Sequence, residues 1–180
     1  AVVLLKLRYA VITSVTRDDL ADGGAALFAE TIAAIRSLSP TTLVEVLIPD
    51  LMGDWDNLQT ILDATPDVLN HNIETVERLY PAVRPQAIYR RSLELLSQVR
   101  TRTPEMVTKT GVMLGLGEDE LELKQIWADL QQVNCDILTM GQYLQPSASH
   151  LPVKRFVPPE EFERFQEEAL PYGFAGVASG

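Results

Sequence analysis

The apolar run Tyr9-Ala-Val-Ile-Thr-Ser-Val15 leads straight into Thr16-Arg-Asp-Asp-Leu-Ala-Asp-Gly-Gly24, so that Thr13, Ser14, Asp18, Asp22, Gly23 and Gly24 collect where a strand would end. Glycines there let a ligand approach the backbone, and a helix starting behind them points free N–H groups outward. Taken alone, the run reads as a charged turn with Asp22 as an N-cap. The same grammar returns twice. Asn72 and Glu74 follow the apolar run that ends at His71, and a carboxylate beside an amide suits the two hydroxyls of a sugar. Lys109-Thr-Gly-Val-Met-Leu-Gly-Leu-Gly-Glu118 ends in glycines and an acid. There Gly115 and Gly117 would free the backbone of side chains, Met113 and Leu114 would offer apolar contact, and Glu118 would cap the next helix. Of His71 and Asn72, which alternate along a strand, one should face inward, with the histidine packed and hydrogen-bonded.

The elements that must position these groups are short β-branched runs at Tyr9 to Val15, Thr42 to Ile48, Val68 to His71, Thr108 to Leu114, Ile137 to Tyr143 and Phe174 to Ala178. Their continuous apolar character is that of parallel strands covered by helices. Between them Phe28, Ile32 and Ile35, then Leu95 and Val99, Leu123, Trp127 and Leu130, and Phe162, Phe165 and Ala169 recur at helical spacing. The alternation predicts a parallel α/β sheet with right-handed crossovers and its polar residues on one rim: Thr13, Asp22, Asn72, Glu74, Gly115 and Gln142. Tyr80 to Pro85 and Pro146 to Pro158 read as loops, and no internal repeat is visible.

The 180 residues suit a single domain, 1–180, with 46% hydrophobic residues to fill a core. Fifteen basic against 25 acidic residues, a net charge of −10, argue against nucleic-acid and anionic-membrane partners. No apolar stretch reaches the roughly 20 residues of a membrane span, and no secretory cleavage pattern opens the chain, so a soluble protein is expected. Cys135 is the only cysteine, and two histidines cannot build a His-rich metal site, so no metal ligand is assigned. Neither a Ser/His/Asp set nor a Walker-type phosphate loop is present.

Read with Met140-Gly-Gln-Tyr-Leu-Gln-Pro-Ser147, the three strand ends resemble lipoyl synthases, in order along essentially the whole chain. The resemblance implies a partial (β/α)6 TIM-like barrel of the radical S-adenosylmethionine type, with its first βα unit preceding this chain. It implies insertion of two sulfur atoms at C6 and C8 of a protein-bound octanoyl chain, after a radical derived from S-adenosylmethionine removes hydrogen. The cofactors implied are S-adenosylmethionine and two [4Fe–4S] clusters. Their family motifs, Cys-x4-Cys-x5-Cys, Cys-x3-Cys-x2-Cys and Arg-Ser-Ser-Tyr, are not in this sequence, and Ser179 is not the cluster serine. The chain therefore reads as the interior of a longer enzyme, inactive without its cluster ligands.

On the same basis the cofactor candidates are Thr13, Ser14, Asp22, Gly23, Gly24, Asn72, Glu74, Met113, Gly115, Gln142 and Tyr143. The Asp22-Gly23-Gly24 loop resembles a Gly-Gly-Glu element for the methionine amino group. Here the acid precedes the glycines, which leaves the contact open between Asp22, Asp18 and the backbone. Arg84, Tyr89 and Lys109 are substrate-side candidates, with salt bridges to surface carboxylates as the competing reading. Implied partners are octanoylated lipoyl carrier domains of 2-oxoacid dehydrogenases and the glycine-cleavage H protein, an electron donor and iron–sulfur delivery proteins. The implied compartment is the bacterial cytoplasm, or an organelle in a eukaryote. The alternatives are another sulfur-inserting enzyme such as biotin synthase, or a cluster-free barrel that binds a nucleoside or a partner protein.

Overall fold

A computed structural model describes residues 1–180. Six parallel strands hydrogen-bond in sequence order: β1 (Tyr9–Thr13), β2 (Leu43–Leu47), β3 (Val68–Asn70), β4 (Val107–Leu114), β5 (Ile137–Gln142) and β6 (Gly176–Ser179). The helices are α1 (Ala25–Leu38), α2 (Trp55–Asp63), α3 (Tyr80–Val83), α4 (Tyr89–Arg102), α5 (Glu120–Gln132) and α6 (Pro159–Ala169). Every expected strand is found, with ends shifted by one or two residues. Helix α2 is an addition to the expected stripes, built on buried Leu58, Ile61 and Leu62 and capped by the Asp54 carboxylate. The Tyr80 to Pro85 stretch also departs from expectation: it starts as the short helix α3, because Pro81 has no N–H to lose in a first turn.

Each strand has one face toward the helices. Val44 and Val46 are fully buried there, while their neighbour Leu43 is 48% exposed on the other side. Phe28, Ile32 and Ile35 of α1, Leu123, Trp127 and Leu130 of α5, and Phe162, Phe165 and Ala169 of α6 all join one 35-residue core. Removing each large side chain of this kind from water contributes about 1.5–3 kcal/mol. His71 lies in the same layer, its Nδ1 2.9 Å from the Ile48 carbonyl and its Nε2 2.9 Å from the Ser92 hydroxyl. That geometry makes Nδ1–H the donor and the Ser92 hydroxyl a donor to Nε2. Burial holds the imidazole neutral, with its pKa lowered to about 4.

Two carboxylates do the same work at the amino ends of the strands. Asp67, just before β3, accepts from the Val44 amide at 2.6 Å and from Arg36 of α1 at 2.7 Å. Asp136, just before β5, accepts from the Thr108 amide at 2.8 Å and from Arg100 of α4 at 2.6 Å. Both bind the amide near the start of the preceding strand to an arginine in the last turn of a helix. The structure thus contains a repeated latch where the sequence shows no repeat. Its effect is to tie the amino ends of the strands to the helices that cover them.

Candidate binding site on the carboxyl rim

All six residues expected on one rim lie at or just beyond the carboxyl ends of β1, β3, β4 and β5, or in the loop after β1. Their side chains have different fates, decided by whether a partner inside the protein already holds them. Asn72 and Glu74 are free. Neither side chain makes a hydrogen bond in the protein, and both line a cavity of about 240 Å³ with Gly111, Met113, Thr139 and Gly141. Glu74 has a left-handed backbone (φ 69°) and extends the pairing of β3, donating its N–H to the Gly111 carbonyl at 2.8 Å and accepting from the Met113 amide at 2.7 Å. The register pairs Gly111 with Thr139 and Met113 with Gly141, which brings these four together. Gly111 and Gly141 leave a backbone wall. A Cβ at Gly111 would stand 2.8 Å from Asn72 Oδ1 and 3.1 Å from Thr139 Oγ1. Gly111, Thr139 and Gly141 were not among the candidates; alternation from Met113 reaches Gly111, but the β4–β5 register is needed for the other two.

The loop after β1 is a charged turn, but the N-cap of α1 is Gly24 and not Asp22. Asp22 accepts from the Gly24 amide at 3.0 Å and the Ala26 amide at 2.9 Å. Those backbone N–H groups hold its carboxyl below the usual carboxylate range, and the side chain serves the start of α1. Gly23 and Gly24 supply the left-handed turn (φ 59° and 86°). Thr13 donates to the Leu47 carbonyl at 3.1 Å, tying β1 to β2, and Ser14 donates to the Val15 carbonyl at 2.9 Å.

Beyond β4 and β5 the assignments change. Gly115 does not open onto the cavity: a Cβ there would collide with Gln142 Nε2 and lie 2.5 Å from the Arg155 carbonyl. Gln142 lines the cavity and also binds the segment that crosses this point, accepting from the Val157 amide at 2.8 Å and donating to the Arg155 carbonyl at 3.3 Å. Tyr143 reaches the Leu151 carbonyl at 2.9 Å in the same segment. Glu118 does not cap α5. It accepts from the Gly115 and Leu116 amides at 2.6 and 2.9 Å and fixes the glycine turn, while Asp119 and Glu122 form the capping box.

The substrate-side candidates do not form one group. Tyr89 is buried in the helical layer, donating to Asp129 at 2.8 Å. Lys109 points to the open face of the sheet, its Nζ 3.0 Å from Glu45 Oε1. That carboxylate also accepts from Tyr9 at 2.5 Å and Asn70 at 2.8 Å. Burial alone would raise the Glu45 pKa; the hydrogen bonds from Tyr9, Asn70 and Lys109 win and hold it below the usual range. Arg84 sits on the rim, its Nη1 donating to the carbonyls of Asn72 at 3.0 Å and Ile73 at 3.2 Å.

Cys135 is buried beside the Thr108 and Ile137 carbonyls, and burial pushes its thiol up to about 12. No group of three His, Cys, Asp or Glu side chains is arranged to hold a metal ion. The residues of this chain therefore do not fit an iron–sulfur cluster. They do fit a nucleoside: a glycine wall for a flat ring beside a free amide and a free carboxylate. No helix is long and apolar enough to cross a membrane.

Six parallel strands in sequence order with helices between them form an open α/β sheet of the partial-barrel kind. A radical S-adenosylmethionine methyltransferase, TsrM, from Kitasatospora setae, solved with cobalamin and a [4Fe–4S] cluster, superposes with a TM-score of 0.50 over 80% of this chain and 29% of that one, at 10% identity. No family model matches the sequence. Along its whole length the chain is similar to lipoyl synthases. It is 68% identical over 180 residues to the lipoyl synthase of Desulfotalea psychrophila, covering 100% of this chain and 60% of the relative. Identity is 54% over 179 residues to that of Alkaliphilus metalliredigens, covering 99% and 62%, and 56% over 180 residues to that of Symbiobacterium thermophilum, covering 100% and 56%. The chain thus spans about 60% of the length of the curated relatives it matches.

Proposed function

We propose that this chain forms the cofactor-binding wall of a lipoyl synthase, which inserts two sulfur atoms into an octanoyl chain carried by a lipoyl-domain protein. The observation that carries the reading is the pair of free side chains, Asn72 and Glu74, beside the Gly111–Gly141 wall. The carboxylate of Glu74 accepts from the ribose hydroxyls of S-adenosylmethionine, Asn72 donates beside it, and the purine lies on the glycine wall against Met113. S-adenosylmethionine, when bound, supplies the radical chemistry. These residues orient it and exclude water from the open face of the sheet. The cluster ligands come from outside the 180 residues. The protein substrates in this reading are the octanoylated carrier domains of 2-oxoacid dehydrogenases and the glycine-cleavage H protein, with an electron donor and iron–sulfur delivery proteins as further partners.

Calorimetry with S-adenosylmethionine and its 2′,3′-dideoxy analogue tests the assignment. Glu74→Gln should weaken the natural cofactor about tenfold and the dideoxy analogue hardly at all, since a hydrogen bond to a charged group contributes about 1.5–3 kcal/mol. Equal losses for both ligands would remove Glu74 from the ribose.

A further inference from the structure

A second cavity, of about 430 Å³, opens on the same rim between the loops that follow β1, β2 and β3. It shares no lining residue with the Asn72–Glu74 cavity. Its charged lining is two arginines, Arg84 and Arg91, and two carboxylates, Asp18 and Asp50. Arg91 is matched by Asp50 at 3.0 Å. Arg84 has no ion-pair partner: its Nη1 holds the Asn72 and Ile73 carbonyls and touches the Tyr80 hydroxyl at 3.3 Å, while Nε and Nη2 make no hydrogen bond. Arg84 therefore presents an unmatched, forked set of donors to the cavity. Its other edge grips the backbone of the segment whose side chains line the cofactor cavity. Glu74, at the far end of that segment, is held at φ 69°, a conformation that persists only where its surroundings impose it.

We propose that this rim cavity is a carboxylate subsite for the protein substrate, centred on Arg84, and that filling it tightens the Asn72–Glu74 segment around the cofactor. The proposal rests on the reading of the chain as part of a lipoyl synthase and deepens it. The ligand is an acidic side chain close to the modified lysine, bound by the Nε and Nη2 edge. A bound carboxylate fixes the guanidinium plane, and with it the two carbonyls that Nη1 holds. Cofactor and protein substrate then favour each other reciprocally, as linkage requires.

The test uses the intact, cluster-loaded enzyme and octanoyl-lysine peptides that differ only in a Glu or a Gln beside the lysine. Wild type should bind the Glu peptide about tenfold more tightly than the Gln peptide. Saturation with the Glu peptide should raise S-adenosylmethionine affinity about fivefold, the lower end of ordinary coupling. Arg84→Gln should abolish both the preference and the coupling. Arg84→Lys, which keeps the charge but not the fork, should retain part of the preference. Equal binding of the two peptides by wild type overturns the proposal, and that comparison stands whether or not Arg84→Gln folds. An unchanged cofactor affinity at peptide saturation overturns it as well. Decarboxylated S-adenosylmethionine separates the other source of a carboxylate. Should Arg84→Gln weaken the whole cofactor, spare this analogue and keep the peptide preference, Arg84 serves the cofactor and the proposal fails. Wild type that binds no S-adenosylmethionine at all sinks the wider reading too, whereas cofactor binding without acid preference sinks only this inference.

Discussion

Gln142 occupies the space that a side chain at position 115 would need: the Cβ of any other residue would fall on its amide nitrogen and within 2.5 Å of the Arg155 carbonyl. The glycine is required by a crossing of chain over chain. The segment after β5 is fastened there by Gln142, and by the Lys154 amide donating to the Gly115 carbonyl at 2.8 Å. Gln142 is thus a positioning residue for the wall of the cavity.

Gly115→Val should therefore act on stability before affinity. Position 115 has φ 98°, which a β-branched residue resists, and the clash adds to that strain. A loss of about 2–4 kcal/mol corresponds to a fall of roughly 5–15 °C in Tm for a chain of this size. Scanning calorimetry beside S-adenosylmethionine titration checks it. An unchanged Tm with affinity lost would return Gly115 to the ligand contact.

Gly111→Val should behave in the opposite way. Its Cβ points at Asn72 Oδ1 from 2.8 Å, inside the cavity, and its backbone has no left-handed φ. Cofactor affinity should fall at least about tenfold, with a smaller change in Tm than at position 115. A normal titration in the folded variant would show that the ring does not lie on this wall.

Lys109→Met would leave the Glu45 carboxylate, 2% exposed, without its cation. Breaking a buried pair from one side costs about 3–5 kcal/mol, and the double variant Glu45→Gln with Lys109→Met should regain much of it. Urea unfolding of the four members of the cycle measures the coupling. Purely additive losses would show that Tyr9 and Asn70 suffice to hold the carboxylate.

His71 makes stability depend on pH. Its folded pKa of about 4 lies below the ordinary 6.5, so between these values the unfolded chain binds the proton that the folded chain refuses. The contribution is complete above pH 6.5 and shrinks as pH falls toward 4, by up to about 1.4 kcal/mol per unit. His71→Gln, which cannot titrate, should flatten the decline. Parallel curves of unfolding free energy against pH for both proteins would refute the assignment.

Along the chain, the order of strands and helices was legible because periodicity is local: Phe28, Ile32 and Ile35 show their buried face without reference to any other element. The position of Asn72 and Glu74 at a strand end was legible as well, since these polar residues follow directly on an apolar run. Helix α2 was harder to see because its apolar stripe spans only nine residues.

Sequence by itself determined the α/β alternation and the polar strand ends, both of which follow from residue type and spacing. Only the tertiary structure decided which rim side chains stay free. Asp22 is held by amides in its own turn, Gln142 by a segment more than ten residues away, and Lys109 on β4 by Glu45 on β2, two strands across the sheet. A hydrogen bond between strands has no trace in a single strand's pattern, so neither the engagement of Gln142 and Lys109 nor the lack of partners for the Asn72 and Glu74 side chains could be read before the register brought them together.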